Sequence, residues 1–120
     1  MITHAYSDNN RDHRITFEAT LNACRPVNKY NNTSLITFET SSATDYSASQ
    51  FKRKFDPNFY VDIQEVWDKK ISSLKFYKDE LGKAPHPRSI DNIEALAIKR
   101  GAESGLLKAE AFCIIKKIWK

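Results

Sequence analysis

The apolar residues of this chain fall into short stretches whose spacing alternates between the helical and the extended pattern. Residues 12–24 mix apolar and polar side chains as a partly buried helix does. The Arg25-Pro26 step predicts the end of that helix, because the residue before a proline disfavours helical backbone. Runs rich in β-branched and aromatic side chains predict a strand at residues 35–40 and a short extended piece at residues 59–61. Residues 1–3 lead into a polar turn, as the last residues of a strand would.

A second helical pattern follows. Apolar side chains three or four positions apart over residues 63–81 predict a long helix that ends at Gly82. Asp62 and Glu65 have the spacing of a capping box at its start.

A third helix is predicted from residue 90 into the region of residues 101–105, with Ser89 or Asp91 as its cap. Residues 109–115 fit either a last strand or the start of a helix. We favour a strand, because Phe, Cys and paired Ile outnumber helix formers there.

The remaining segments are predicted to be loops. Residues 28–33 are polar, and residues 41–54 form a long surface loop of the kind on which sites are built. Two prolines are expected to hold residues 85–89 extended, so that His86 and Arg88 are presented from a stiff segment.

Length and composition predict the number of domains and whether the chain spans a membrane. The chain has 120 residues, 41% of them hydrophobic and 28% charged, and its mean hydropathy is −0.57. That length predicts a single domain over residues 1–120. No apolar run approaches the roughly 18 residues that span a bilayer, and no signal peptide is recognisable, so we expect no membrane span and a cytoplasmic protein.

Net charge and cysteine content give no positive indication of function. The net charge is +4, but acidic residues are interspersed almost everywhere, so no nucleic-acid partner is expected. Cys24 and Cys113 are far apart, and we expect buried or free thiols in a reducing compartment.

Candidate chemistry is concentrated near the start of the chain. Two of the three histidines, two aspartates and two arginines lie within residues 3–14, directly before the first predicted helix. Asp12-His13 at the mouth of a helix places a carboxylate and an imidazole beside free backbone N–H groups, which suits a metal or an anionic group. The alternative is that Asp12 is only an N-cap and His13 only a residue of the first turn.

Short motifs run through the chain in a distinctive order. They are Thr3-His4, Asp8, Asn10, Asp12-His13-Arg14, Ala23-Cys24-Arg25-Pro26, Phe38-Glu39-Thr40-Ser41-Ser42, Trp67 with Lys70, Leu74 with Tyr77, Pro87-Arg88-Ser89, Arg100-Gly101 and Ala109-Glu110-Ala111-Phe112. Their joint order resembles the second half of the PIG-L/LmbE-like deacetylases, zinc-dependent enzymes that remove N-acetyl groups from sugars. The resemblance covers essentially the whole chain.

The resemblance implies roles for several residues. His13 would be one of three zinc ligands, and Asp12 would orient a catalytic side chain. Asn10 stands where many members have a histidine; an amide can donate to a developing oxyanion but cannot change charge. Arg14, His86 and Arg88 become candidates for binding the amino-sugar or glycan substrate.

One expected motif is absent from these 120 residues. Family members carry Ala-His-Pro-Asp-Asp-Glu after their first strand, and it supplies two zinc ligands and the general base. Here His4 is followed by Ala5-Tyr6, and His86-Pro87 by Arg88. A catalytic zinc needs about three protein ligands and an open position for water. We therefore expect the chain to correspond to the C-terminal portion of such a domain, and we do not expect it to bind zinc alone.

These considerations predict an α/β fold, a partial Rossmann-like three-layer α/β/α arrangement. Its uncovered edge and faces would give low stability, or association with a second chain or in a homo-oligomer. If another polypeptide supplied the first half, the function would be zinc-dependent deacetylation of N-acetylglucosamine-type sugars. The alternative, which we expect of the chain in isolation, is a catalytically inactive truncated remnant or binding module of the same fold.

Structural interpretations remain open beside the functional ones. We expect His4 to be structural at the strand end, and His86 to be equally well explained as a loop residue that holds a turn. Arg88 could equally form an ion pair with Glu110. The aromatic side chains expected in the core are Trp67, Tyr77 and Phe112.

Overall fold

The computed structural model describes residues 1–27, 33–48 and 54–119, and within them the chain is α/β. Helices and strands follow one another along these residues, which confirms the predicted class. The elements are β1 (Ile2–His4), α1 (Arg11–Ala23), β2 (Leu35–Phe38), β3 (Phe59–Asp62), α2 (Trp67–Leu74), a 3₁₀ turn (Lys78–Glu80), α3 (Ile90–Ser104) and β4 (Ala109–Lys116).

The four strands form one mixed sheet in the order β1-β2-β4-β3. β1 runs parallel to β2, with Thr3 opposite Thr37, and β2 runs antiparallel to β4, with Thr37 opposite Cys113. Consecutive parallel strands need a crossover connection, and α1 lies in the connection from β1 to β2.

The chain divides into two compact units, one formed by Met1–Phe59 with Phe112–Lys120 and the other by Tyr60–Ala111. In the first unit, Thr3, Leu35 and Thr37 are buried on one face of the sheet. Helix α1 packs against β1 on this side, and the hydroxyls of Thr3 and Thr20 lie 3.3 Å apart. Strand residues alternate between faces, so this pattern defines one covered face.

The opposite face of the sheet in this unit carries a row of isoleucines. Ile2 lies opposite Ile36, and Ile36 lies opposite Ile114. Ile2 is 59% exposed, and the other two are partly buried. Within the described residues, this face, called the open isoleucine face below, is therefore apolar and only partly covered.

The second unit has its own core, formed by Ile63, Trp67 and Ala97 with Ile71 and Ile93 packed against it. Trp67 is buried as predicted. The α3 helix has the predicted cap, since the Ser89 hydroxyl accepts from the Asn92 N–H at 3.3 Å. It ends at Gly105, whose φ of 76° lies in the left-handed region that favours glycine.

The prediction for α2 is wrong at both ends. The Ile63 N–H donates to the carbonyl of Lys108 at 3.1 Å, which keeps the chain extended where a helix was expected. Asp62 ends β3, and its carboxylate accepts from the Gln64 N–H rather than capping the helix. Helix α2 ends at Leu74, and turns follow it. Tyr77 is 66% exposed and so is not a core residue.

The segment at residues 85–89 is turned, not extended. The His86 N–H donates to the carbonyl of Lys83 at 3.0 Å, and the Ser89 N–H donates to that of His86 at 2.9 Å. His86 holds this turn, because its Nδ1 accepts from the Arg88 N–H. Its ring also packs on Gly82, where an added Cβ would lie 2.5 Å from the ring.

Arg88 forms an ion pair with Glu80. Glu110 instead pairs with Lys70 at 2.6 Å, so the expected pairing of Arg88 with Glu110 is wrong.

The other predicted elements are confirmed with small changes of boundary. β2 ends at Phe38, two residues before its predicted end, and β4 is a strand rather than a helix. Phe112 is partly buried, Cys24 is buried, and both cysteines are free thiols. Residues 28–32 and 49–53 of the two predicted loops lie outside the described residues; residues 41–46 form turns, as the loop prediction requires. No helix among the described residues is long and apolar enough to cross a bilayer.

Candidate metal centre

The polar cluster lies at the carboxyl end of β1. His4 is the last residue of that strand, and residues 5–10 lead from it into α1, whose first turn contains His13. Thr44 reaches the same place from the turn that follows β2. In α/β proteins ligands bind outside the carboxyl ends of parallel strands, which is where these side chains meet.

Asp8 and His13 form the central contact. The carboxylate of Asp8 is fully buried, and its Oδ2 lies 2.9 Å from His13 Nδ1. Its Oδ1 accepts from the Thr44 hydroxyl at 2.7 Å. An ionised carboxylate only accepts hydrogen bonds, so a neutral His13 in this contact has its proton on Nδ1 and a lone pair on Nε2.

His4 lies directly against His13. The two imidazole rings are stacked, with centroids 3.8 Å apart and planes 9° from parallel. Burial lowers the pKa of His4 below its ordinary value, and nearby His13 lowers it further, against an opposing contribution from Asp8. The ring is therefore neutral at pH 7. Its Nδ1 is buried and has no hydrogen-bond partner among the described residues.

Backbone contacts hold the loop around these side chains. Arg14 Nη1 donates to the carbonyls of Asp8 at 2.6 Å and Asn9 at 2.8 Å. The Asn9 N–H donates to the carbonyl of buried Ala43 at 3.0 Å. The guanidinium of Arg14 thus holds the turn that presents Asp8, and its expected role toward substrate stays a prediction.

The two other residues predicted for this site lie at the start of α1. Asn10 is the N-cap, since its Oδ1 accepts from the Asp12 N–H at 2.8 Å, so the alternative that Asp12 caps the helix is wrong. This contact leaves the Nδ2 donors of Asn10 for other partners. Asp12 is exposed, and the carboxylate bonded to His13 is Asp8. The catalytic roles of Asn10 and Asp12 stay predictions.

His86 and Arg88 belong to the second unit, where they form the turn before α3. Their contact with substrate stays a prediction.

Three potential metal ligands, rather than one, come together in this chain. His4, Asp8 and His13 each offer a ligand atom, and these atoms lie within 4.8 Å of one another. Sequence reasoning identified His13 but missed the contact of Asp8 and the stacking of His4. Asp8 precedes His13 by five positions across a loop, a spacing that indicates no regular element. Thr44, which holds the other oxygen, is 36 positions from Asp8.

Comparison with other proteins adds no relative to this picture. No protein-family model matches the chain, and no curated protein matches it. The geometry of the site and the motifs of the sequence are therefore the features that bear on function.

Proposed function

We propose that this chain is the C-terminal portion of a PIG-L/LmbE-like zinc-dependent deacetylase domain that acts on N-acetylated amino sugars. One observation carries the proposal: a fully buried carboxylate, Asp8, binds Nδ1 of His13 and leaves Nε2 for a metal. Metal-binding histidines usually donate their other ring N–H to a carboxylate or carbonyl in this way. The substrate class rests on the resemblance of the motifs.

The fold supports the same proposal. Strand β1, helix α1 and strand β2 form a unit with two adjacent parallel strands, the building block of Rossmann-like sheets. The cluster lies at the carboxyl end of that unit. We propose that the sheet is part of a larger three-layer α/β/α domain.

The side chains present fit a zinc site to which this chain would contribute one ligand. His13 would hold the ion through Nε2, and Asp8 would keep the proton on Nδ1. Zinc, when bound, lowers the pKa of a coordinated water to about 7 and polarises a carbonyl. The amide of Asn10, with its oxygen bonded to the helix backbone, would direct its N–H groups toward the oxyanion. The general base and the remaining ligands would come from an Ala-His-Pro-Asp-Asp motif on another segment.

The open isoleucine face indicates where such a segment would pack. Ile2, Ile36 and Ile114 form an apolar row on the first unit. A contiguous exposed apolar surface is typical of an interaction site. We propose that a first-half polypeptide, or a second copy of the chain, covers this face.

Reconstitution tests the proposed activity. The chain would be mixed with the first half of an intact LmbE-like enzyme, and zinc-dependent release of acetate from N-acetylglucosamine would be measured. We expect release only from the mixture, abolition by His13→Gln and no effect of Glu65→Gln, which lies at an exposed position outside the predicted site. The matched positive control is the donor enzyme divided at the same point and reassembled from its own two halves.

The same experiment distinguishes the alternative. If the donor's own halves release acetate but the mixture with this chain does not, the chain is a non-catalytic module of the fold. Absence of the Ala-His-Pro-Asp-Asp motif from these 120 residues is the observation that favours that alternative.

A further inference from the structure

We propose that His4, Asp8 and His13 together bind one divalent transition-metal ion without ligands from any other segment. This inference goes beyond the proposed function, in which His13 is the one zinc ligand that the chain supplies. It concerns the same cluster but does not require deacetylase activity.

The donor set has the right chemistry. Two imidazoles and one carboxylate are the protein ligands of several catalytic zinc sites. Imidazole nitrogen favours zinc, copper, nickel and iron over magnesium and calcium. Among the described residues this is the one group of three such side chains whose ligand atoms lie within 4.8 Å of one another.

The distances are close to those of a bound site. Bonds of about 2.0–2.2 Å place tetrahedral ligand atoms roughly 3.4 Å apart, so the cluster must contract by about 1.4 Å at its widest. The Asp8 Oδ2 to His13 Nδ1 separation is already 2.9 Å. An ion can take the place of the proton between these two atoms, and that proton moves by exchange with solvent to Nε2 of His13, so that the ring binds as a neutral imidazole.

His4 must turn for the site to close. An ion bound to an imidazole lies in the plane of its ring, and the planes of His4 and His13 are nearly parallel at present. No hydrogen bond within the described residues holds the His4 ring, whose Nδ1 is buried without a partner. His13 is held by Asp8, so His4 is the ring that reorients. Metal binding would give the His4 imidazole, whose buried Nδ1 has no hydrogen-bond partner, a polar contact.

The two binding modes use different nitrogens of His13. In the composite deacetylase site Asp8 keeps its hydrogen bond and Nε2 binds. In the autonomous site Nδ1 binds, because the ion lies between it and Asp8. The nitrogen used by the ion therefore separates the two proposals.

Titration of the full chain with Co²⁺ alone, followed by visible absorption, tests the inference. We expect one ion per chain, displaced by Zn²⁺. We expect His4→Gln and His13→Gln each to weaken binding at least about tenfold. The matched control is His86→Gln, which replaces the one remaining histidine and is not among the clustered ligands, and it should leave affinity unchanged.

Several outcomes would overturn the inference. They are no bound Co²⁺ at millimolar concentration, unchanged affinity of the His4→Gln variant, or equal loss in the His86→Gln variant. If only His13→Gln weakens binding, the autonomous site is wrong while His13 remains the zinc ligand of the proposed function.

A measurement on the unmodified chain tests the inference even if the variants fail to fold. Ring ¹⁵N signals of the histidines would be followed by NMR as Zn²⁺ is added. We expect the His4 signals and Nδ1 of His13 to shift, with those of His86 unchanged. A shift confined to Nε2 of His13 would contradict the three-ligand site.

Discussion

Asp8 is fully buried, and its two oxygens are divided between His13 and Thr44. A buried carboxylate is costly unless its oxygens are hydrogen-bonded, and these two contacts satisfy it. The same contacts define which nitrogen of His13 carries the proton. Asp8 therefore contributes both to the packing of the site loop and to the tautomer of His13.

Replacing Asp8 by asparagine should change the tautomer of His13. The Thr44 hydroxyl donates to Oδ1, so the amide oxygen of Asn would face Thr44 and its NH₂ would face His13. Nδ1 would then accept, and the ring proton would move to Nε2. We expect this shift in ¹⁵N NMR of the His13 ring, with a loss of about 1–3 kcal/mol in the free energy of unfolding.

Asp12→Asn is the matched control, since it removes a carboxylate one position from His13 in an exposed place. It should leave the His13 tautomer unchanged. If Asp12→Asn changes the tautomer and Asp8→Asn does not, the assignment of Asp8 as the orienting carboxylate is wrong.

Glu103 provides a pH-dependent test in the second unit. Its hydrogen bond from Arg100, 2.8 Å long, lowers the pKa of Glu103, with smaller effects from the charges of Arg100 and Lys99. A lowered pKa in the folded state adds stability above the unfolded value of about 4.3, and this stability is lost as the pH falls through the folded value.

We expect Glu103→Gln to reduce the free energy of unfolding by about 1 kcal/mol or less at pH 7, since such pairs contribute little at a surface. The difference from the unmodified chain should shrink below about pH 4. Urea unfolding at several pH values measures it, with Glu65→Gln, at an exposed position, as control. If the difference in unfolding free energy grows as the pH falls, the pKa of Glu103 is not lowered in the folded state.

At the level of elements, the ends of some helices are set by local sequence and those of others by contacts with distant residues. Helix α3 has Ser89 as its N-cap and Gly105 as its C-cap, and its local sequence predicts both ends. Helix α2 is shorter than its apolar pattern, because residues 59–63 are recruited into the sheet beside β4. Helix α1 begins at Arg11, and its N-cap Asn10 belongs to the site loop.

Asn10→Ala should destabilise α1. Loss of the bond from Oδ1 to the Asp12 N–H leaves an N-terminal donor unpaired, at a cost of about 0.5–2 kcal/mol. Chemical denaturation followed by circular dichroism measures this cost. Asn9→Ala, at the neighbouring exposed position, should change stability by less; an equal loss in both variants would show that capping is not the cause.

For the whole molecule, the open isoleucine face of the first unit is the feature that bears on assembly. One face of the sheet is covered by α1, and the other carries Ile2, Ile36 and Ile114. A net charge of +4 is modest for a chain of 120 residues and gives limited protection against association through such a face.

Ile114→Thr should therefore weaken self-association. The change removes apolar surface from the open face while keeping a β-branched residue that suits a strand. Sedimentation velocity over a range of concentrations measures the effect. The control is Ile98→Thr, which makes the same exchange at an exposed position of α3 in the other unit. Equal behaviour of the two variants would argue against the open face as the site of association.

Much of the architecture follows from the sequence alone. Local residue patterns predict α1, α3, β2 and β3 and favour a strand over a helix at β4, and the polar residues before α1 indicate where a site lies. These signals are local, because helix and strand periodicity and capping depend on neighbours a few positions away. His13 was identifiable as a site residue for the same reason.

The tertiary structure decided the features that depend on distant partners. Thr44 completes the environment of Asp8 from 36 positions away, and pairing with the segment before β4 keeps Ile63 extended where a helix was predicted. The stacking of His4 on His13 likewise requires β1 and α1 to be packed together. No spacing in the sequence encodes which loops meet, so the three-residue cluster arises only when the sheet brings the strand ends together.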